Sequence, residues 1–266
     1  MSYRILQSFF RDNPKVAIAC SGGTDSAFLV HVAAEMGADI LPVVVRSHLN
    51  PERETEEAVE FVRSQGLEPL VLDVDLLSLP EITSNGTDRC YHCKRAMFSA
   101  VRDAAAAHGY DVVADGTNAS DMEQDRPGTR ALRELGIASP LRDAGLTKSQ
   151  IRRLSRSERL PTWNKHSNSC LATRVDTGVP ITAEVLERVM NGEDAIQSLG
   201  YEGFRVRTDG RVARVVMPAS MWQNAVAGED DIRRALSPFF EGSYVSEETR
   251  DERGRAEDAP GGCRVR

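Results

Sequence analysis

Cys90 and Cys93 stand three residues apart in the stretch Asn85-Gly86-Thr87-Asp88-Arg89-Cys90-Tyr91-His92-Cys93-Lys94. Such a pair suits four chemistries: zinc ligation, thiol–disulfide exchange, iron–sulfur ligation, or burial as small hydrophobes. Cys170, in Ser169-Cys170-Leu171-Ala172, is a third thiol, and His92 or His166 would complete a four-ligand zinc site. A redox pair leaves Cys170 without a role, and no strand precedes Cys90 as that motif requires. Cys20 ends an apolar run and reads as core. Cys263 lies in a charged tail and carries no assigned role. The odd count of five cysteines argues against a disulfide framework.

A second chemistry is written at Ser21-Gly22-Gly23-Thr24-Asp25-Ser26. An apolar run ends, two glycines permit a tight turn, and a helix is predicted from about Ser26. A helix N-terminus presents unpaired N–H groups and the positive end of a dipole, which suit a phosphate. Ser21 and Ser26 add hydroxyl donors, and Asp25 is placed to hold Mg²⁺. No Lys-Ser/Thr pair follows the glycines, so this is not a Walker A loop. The bland alternative is a capped strand–helix turn.

Asp115, Gly116, Thr117 and Asn118 end a later strand where a nucleotide would lie, although Asn118 also suits turn closure. Lys94 is a candidate to neutralise developing phosphate charge, against the alternative of a solvated lysine. Arg126 and Arg174 are candidate phosphate partners or surface ion pairs. Arg205 and Arg207, two apart on a strand, share a face, and two guanidiniums on one face suit a phosphate. Trp163 reads as packing.

The elements that must position these residues alternate in type. "KVAIAC", "ADILPVVVRS", "PLVLDVD" and "DVVADGTN" read as strands, with helices between them at "AFLVHVAAEMG", "PERETEEAVEFVRSQG" and "RAMFSAVRDAAAAHG". This rhythm predicts an α/β, doubly wound parallel sheet, with ligands beyond the carboxyl ends of its strands. Thr147-Lys148-Ser149-Gln150 reads as a capping box opening another helix. Beyond Pro180 come a helix, a hairpin about Asp209-Gly210 and a helix, predicting a smaller α+β domain. The expected division is 1–178, 179–246 and a disordered tail at 247–266, which is charged and without periodicity.

Composition is ordinary, with 41% hydrophobic and 27% charged residues. A net charge of -7 argues against nucleic acid as the main partner. No apolar run reaches the roughly 18–20 residues of a membrane span, and the N-terminus does not read as a secretory leader. A cytoplasmic location is expected.

Ser21–Ser26 resembles the SGGxDS loop of the PP-loop ATP pyrophosphatases, which activate an oxygen with AMP and release pyrophosphate. Three further stretches narrow the resemblance: "DRCYHCK", "DGTN" running into "DRPGTRALRELGIASPL", and "LPTWNKHSNSCLATRV". With the loop, they resemble the LarE family of sulfur insertases, over about residues 14–216. The resemblance implies ATP and Mg²⁺ at Ser21, Gly22, Gly23, Thr24, Asp25, Ser26, Gly116 and Asn118. It implies adenylation of a carboxylate of pyridinium-3,5-biscarboxylic acid mononucleotide, then thiolation, in nickel-pincer cofactor synthesis.

Cys170 matches the family's sulfur-bearing cysteine, and Lys94 matches a family lysine. Members that sacrifice their own sulfur lack the Cys90/Cys93 pair. The three-cysteine subgroup implies instead that Cys90, Cys93 and Cys170 hold a [4Fe–4S] cluster with one iron open to exogenous sulfide, so a sulfide donor is a further implied partner. Arg205 and Arg207, with Arg174 and Arg126, are implied to face the substrate's phosphate. The resemblance further implies a homo-oligomer, a hexamer in family members. A tRNA-thiolating PP-loop enzyme and a nucleotide-binding protein with a structural zinc remain the alternatives.

Overall fold

The computed structural model describes residues 2–123, 127–165 and 170–247. The chain divides into two compact units, one ending at Cys170 and one beginning at Leu171.

The first unit contains helices α1 (Ser2–Asp12), α2 (Thr24–Glu35), α3 (Glu52–Ser64), α4 (Pro80–Thr83), α5 (Arg89–Ala107), α6 (Pro127–Glu134), α7 (Pro140–Asp143) and α8 (Lys148–Ser157). Its strands are β1 (Lys15–Ala19), β2 (Asp39–Arg46), β3 (Leu70–Asp73) and β4 (Val112–Ala114). They form one sheet in the order β3-β2-β1-β4. Every pairing is parallel. The predicted doubly wound sheet is therefore present.

Both faces of this sheet are covered, which is why its strands read as apolar runs rather than alternating ones. Val16 and Ile18 of β1 join a core with Phe28 and Leu29 of α2, Phe61 of α3 and Ile151 of α8. Ala17, between them, faces a second core with Phe98, Val101 and Ala105 of α5 and Leu132 of α6. Leu6 and Phe10 seat the amphipathic α1 on the first core.

The strand order reverses between β1 and β4. Ligands in such sheets bind in the crevice at this switch point. The Ser21–Gly23 loop and the Gly116–Asn118 turn follow the two strands that flank it.

The second unit holds α9 (Ala183–Ser198), β5 (Arg205–Thr208), β6 (Val212–Met217), α10 (Ala219–Ala227), α11 (Glu229–Leu236) and β7 (Gly242–Glu247). β5 and β6 form the predicted antiparallel hairpin. β7 adds to β6 in parallel, making a mixed three-stranded sheet. β7 was not foreseen, and Glu247, assigned to the tail, is its last residue. Its "GSYVSE" carries only two strand formers, so its pairing depends on a partner 30 residues away. The rest of the tail, with Cys263, lies outside the described residues.

Candidate functional site

α2 begins at Thr24, two residues earlier than expected. Gly23 is its N-cap, and no side chain caps the first turn. The first N–H groups of α2 thus remain available for an anion. Gly22 has φ +68°, and a Cβ there would lie 2.9 Å from the Cβ of Ala58 in α3. From the other side, a Cβ on Gly116 would lie 2.9 Å from the backbone nitrogen of Ser26. Backbone cannot yield as a flexible side chain can, so only glycine lets the β4 turn approach the helix N-terminus this closely.

The loop is braced internally. Ser21 N–H donates to Ser26 Oγ at 3.2 Å, and the two hydroxyls lie 3.2 Å apart. Thr24 Oγ1 donates to the Thr162 carbonyl at 2.8 Å in a buried bond. That bond ties the loop to the short 3₁₀ turn Pro161–Asn164.

A cavity of about 360 Å³ opens over this loop. Ser21, Gly23, Thr24, Asp25, Ser26 and Gly116 line it, with Val43–Val45 of β2 and Met97, Phe98 and Val101 of α5 as apolar wall. Three ammonium groups also line it, from Lys94, Lys148 and Lys165. Lys94 Nζ sits 5.1 Å from the centre of the Phe98 ring. Lys165 Nζ pairs with Glu57 at 2.7 Å and donates to the Gly22 carbonyl at 3.1 Å.

Lys148 Nζ lies 2.7 Å from Asp25 Oδ2. Asn118 Nδ2 donates to the same oxygen at 3.4 Å. The other oxygen, Asp25 Oδ1, is buried without a hydrogen-bond partner. Burial pushes the Asp25 carboxyl above the ordinary carboxylate range, the Lys148 ammonium opposes this, and the nearby Asp121 adds to it. An unpaired buried oxygen beside a second carboxylate suits a divalent cation.

Asn118 also accepts from Ser120 N–H at 2.8 Å, so it closes the turn as well as touching Asp25. Asp115 accepts from Ser139 Oγ at 2.7 Å and from the hydroxyl of Thr117, so its carboxylate is engaged inside the fold.

Cys90 and Cys93 lie in the first turns of α5. The turn before the helix is set by Asn85, buried and at φ +54°. Its side chain accepts from Arg89, and the Arg89 guanidinium lies 3.7 Å from Cys90 Sγ. Cys90 and Lys94 are four apart, as are Cys93 and Met97, so cysteines and cavity wall share one helix face.

The Cys93 thiol is pushed up to about 12, first by burial, then by Cys170 and Cys90, with Lys94 and Arg89 opposing. Both other thiols thus act on Cys93 electrostatically. The three sulfurs are not gathered as a single tetrahedral metal would hold them: among the described residues only His31, Glu35 and Glu158 bring three ligand atoms within 4.8 Å of one another. Cys20 is buried, its N–H bonded to Val43, as expected of core.

In the second unit, Arg205 and Arg207 lie on β5, two residues apart. Arg207 stands directly opposite Arg214 of β6. Arg214 in turn pairs with Asp176 at 3.6 Å. Arg174 is buried and pairs with Glu193 at 2.9 Å, so its guanidinium has a carboxylate partner within the fold. Trp163 packs beneath the Arg156 guanidinium, 4.9 Å from its ring centre. Arg126, His166 and Ser169 lie outside the described residues.

Lys148, Lys165 and Asn85 were missed from sequence. Lys148 was visible only as part of a capping box, which is indeed formed by Thr147 and Gln150. Nothing local to it shows that it reaches Asp25.

No family model matches the chain. It is 34% identical over 223 residues, 83% of each chain, to an uncharacterised protein of Synechocystis. It is 30% identical over 233 residues, 87% of this chain and 84% of the relative, to the pyridinium-3,5-bisthiocarboxylic acid mononucleotide synthase of Lactiplantibacillus plantarum. A more distant likeness, 26% identity over 67% of this chain and 50% of the relative, is to the tRNA(Ile)-lysidine synthase of Bifidobacterium animalis.

Proposed function

This chain belongs to the LarE family of PP-loop proteins, and we propose that it inserts sulfur into pyridinium-3,5-biscarboxylic acid mononucleotide at the expense of ATP, in nickel-pincer cofactor synthesis. A substrate carboxylate oxygen attacks the α-phosphorus of ATP. Pyrophosphate leaves, and an acyl adenylate forms. A hydrosulfide then attacks the acyl carbon, AMP leaves with the bonding electrons, the S–H proton passes to solvent, and a thiocarboxylate remains. Repetition on the second carboxylate completes the product.

The residues supply binding and charge. Ser21–Ser26 and the first N–H groups of α2 cradle phosphate. Asp25 Oδ1 offers Mg²⁺ a ligand. Lys94, Lys148 and Lys165 offset the charge that develops as pyrophosphate leaves. Arg205 and Arg207 hold the substrate's phosphate, with Arg126 and Arg174 as further candidates. The domain limits 1–178 and 179–246, the cytoplasmic location and the homo-oligomer belong to this same proposal.

Cys90, Cys93 and Cys170 would hold a [4Fe–4S] cluster. Cys90 and Cys170 both acting on Cys93 fits this donor set. When bound, the cluster supplies one iron without a protein ligand, where exogenous hydrosulfide can be carried.

The observation that carries this reading is the shared face of α5, which places Cys90 and Cys93 beside cavity-lining Lys94 and Met97. Iron, zinc and acid-labile sulfide should be measured on anaerobically reconstituted protein. About four irons per chain, lost in Cys170→Ser, support it. Stoichiometric zinc without labile sulfide overturns the cluster and favours a structural metal.

A further inference from the structure

A second cluster of ligand-type side chains lies at the far end of α2. His31 and Glu35 are one turn apart there, and Glu158 is the C-cap of α8. One ligand atom from each lies within 4.8 Å of the other two. His31 Nε2 and Glu35 Oε2 are 3.7 Å apart.

The imidazole is oriented from behind. His31 Nδ1 lies 2.8 Å from Gln65 Oε1. A carbonyl oxygen only accepts, so Nδ1 carries the hydrogen and donates it. In the neutral ring this tautomer leaves a lone pair on Nε2. Nε2 is buried and has no hydrogen-bond partner. A ring whose outer N–H is held by a carbonyl, with its other nitrogen turned toward carboxylates, has the arrangement of a metal-ligating histidine. A lone pair facing two anions is unfavourable unless a proton or a metal cation stands between them.

We propose that His31 Nε2 and the carboxylates of Glu35 and Glu158 bind one first-row divalent cation of the Zn²⁺ type, with water as fourth ligand. Imidazole with carboxylates favours such ions over Mg²⁺ or Ca²⁺. The Glu35 side chain is 48% exposed and Glu158 is exposed, so both can move to the roughly 2.0–2.2 Å that Zn²⁺ requires.

The site is independent of the proposed reaction. Along α2, Asp25 lies about 9 Å from His31 and about 15 Å from Glu35, and none of His31, Glu35 and Glu158 lines the cavity. The cation joins α2 to α8 at one end, as Asp25 and Lys148 join them at the other. Its role is to clamp the two helices that carry the nucleotide loop and Lys148.

Co²⁺ is the probe, added to the metal-free, anaerobic full-length chain and followed by absorption. Thiolate-bound Co²⁺ shows sulfur-to-metal charge transfer, whereas Co²⁺ on nitrogen and oxygen shows weak d–d bands alone. The expected result is one equivalent without charge transfer that disappears in Glu35→Gln and in Glu158→Gln. Gln65→Leu should weaken that equivalent roughly tenfold or more. Glu158 is exposed at a helix end, so its substitution leaves folding intact. Equal uptake by wild type and both glutamine variants, or Co²⁺ seen on thiolates alone, overturns the proposal.

Discussion

The ammonium of Lys148 lies 2.7 Å from the carboxylate of Asp25, across 123 residues of sequence. The lysine opens α8, the aspartate sits in the first turn of α2, and both line the cavity. A cationic side chain thus occupies one oxygen of the carboxylate proposed to receive Mg²⁺, while the other oxygen is buried and unpaired.

Lys148→Met should weaken ATP use by roughly tenfold or more, since a hydrogen bond to a charged group is worth about 1.5–3 kcal/mol. Pyrophosphate release at varied ATP, with the pyridinium substrate saturating, is the measurement. An unchanged KM and kcat for ATP would remove Lys148 from the binding machinery.

Asp25 should make folding pH-dependent. Its folded pKa is raised by burial, so the folded state holds the proton more tightly than the unfolded state does. The associated stability is present below the ordinary carboxylate pKa and is lost as pH rises through the raised value. Asp25→Asn removes this loss. Thermal melts from acid to neutral pH should show the variant gaining on wild type as pH rises. A difference in Tm that is flat with pH would refute the assignment.

Gly116→Ala should be costly despite its small size. The added Cβ would press on the backbone of Ser26 at 2.9 Å. Overpacking of this kind costs about 1–3 kcal/mol. Urea unfolding should show the loss, and calorimetry should show nucleotide affinity falling with it. Normal stability with normal ATP affinity would mean that the turn relaxes freely.

Thr24→Val tests the tie between the nucleotide loop and residues 161–164. It keeps the volume but removes one of the two donors to the Thr162 carbonyl, which retains the Lys165 N–H at 3.1 Å. About 0.5–1.5 kcal/mol of stability should be lost. If Cys170 depends on this tie, iron incorporation should fall as well, whereas a purely local effect would leave iron content unchanged.

Arg205→Ala combined with Arg207→Ala should raise the KM for the pyridinium mononucleotide and leave ATP binding intact. A collapse of ATP affinity instead would mean that the phosphate site has been misplaced.

The local signals were legible because their causes are local. Gly22 and Gly23 after an apolar run and before a helix are readable as a phosphate loop, since tight turns and free N–H groups arise within a few residues. The four apolar runs separated by helical patterns imply a parallel sheet for the same reason, and the Thr147/Gln150 capping box is set by adjacent residues. What the chain alone left open are encounters between distant segments. Lys148 meeting Asp25, Lys165 reaching the Gly22 carbonyl, Cys170 acting on Cys93, and β7 pairing with β6 all depend on packing that closes long loops. Gly116 illustrates the difference: as a residue it reads as one more turn glycine, and only the close approach of the α2 backbone shows why no side chain fits there. Sequence periodicity reports which face of an element is buried, and tertiary structure alone decides which groups that burial brings together.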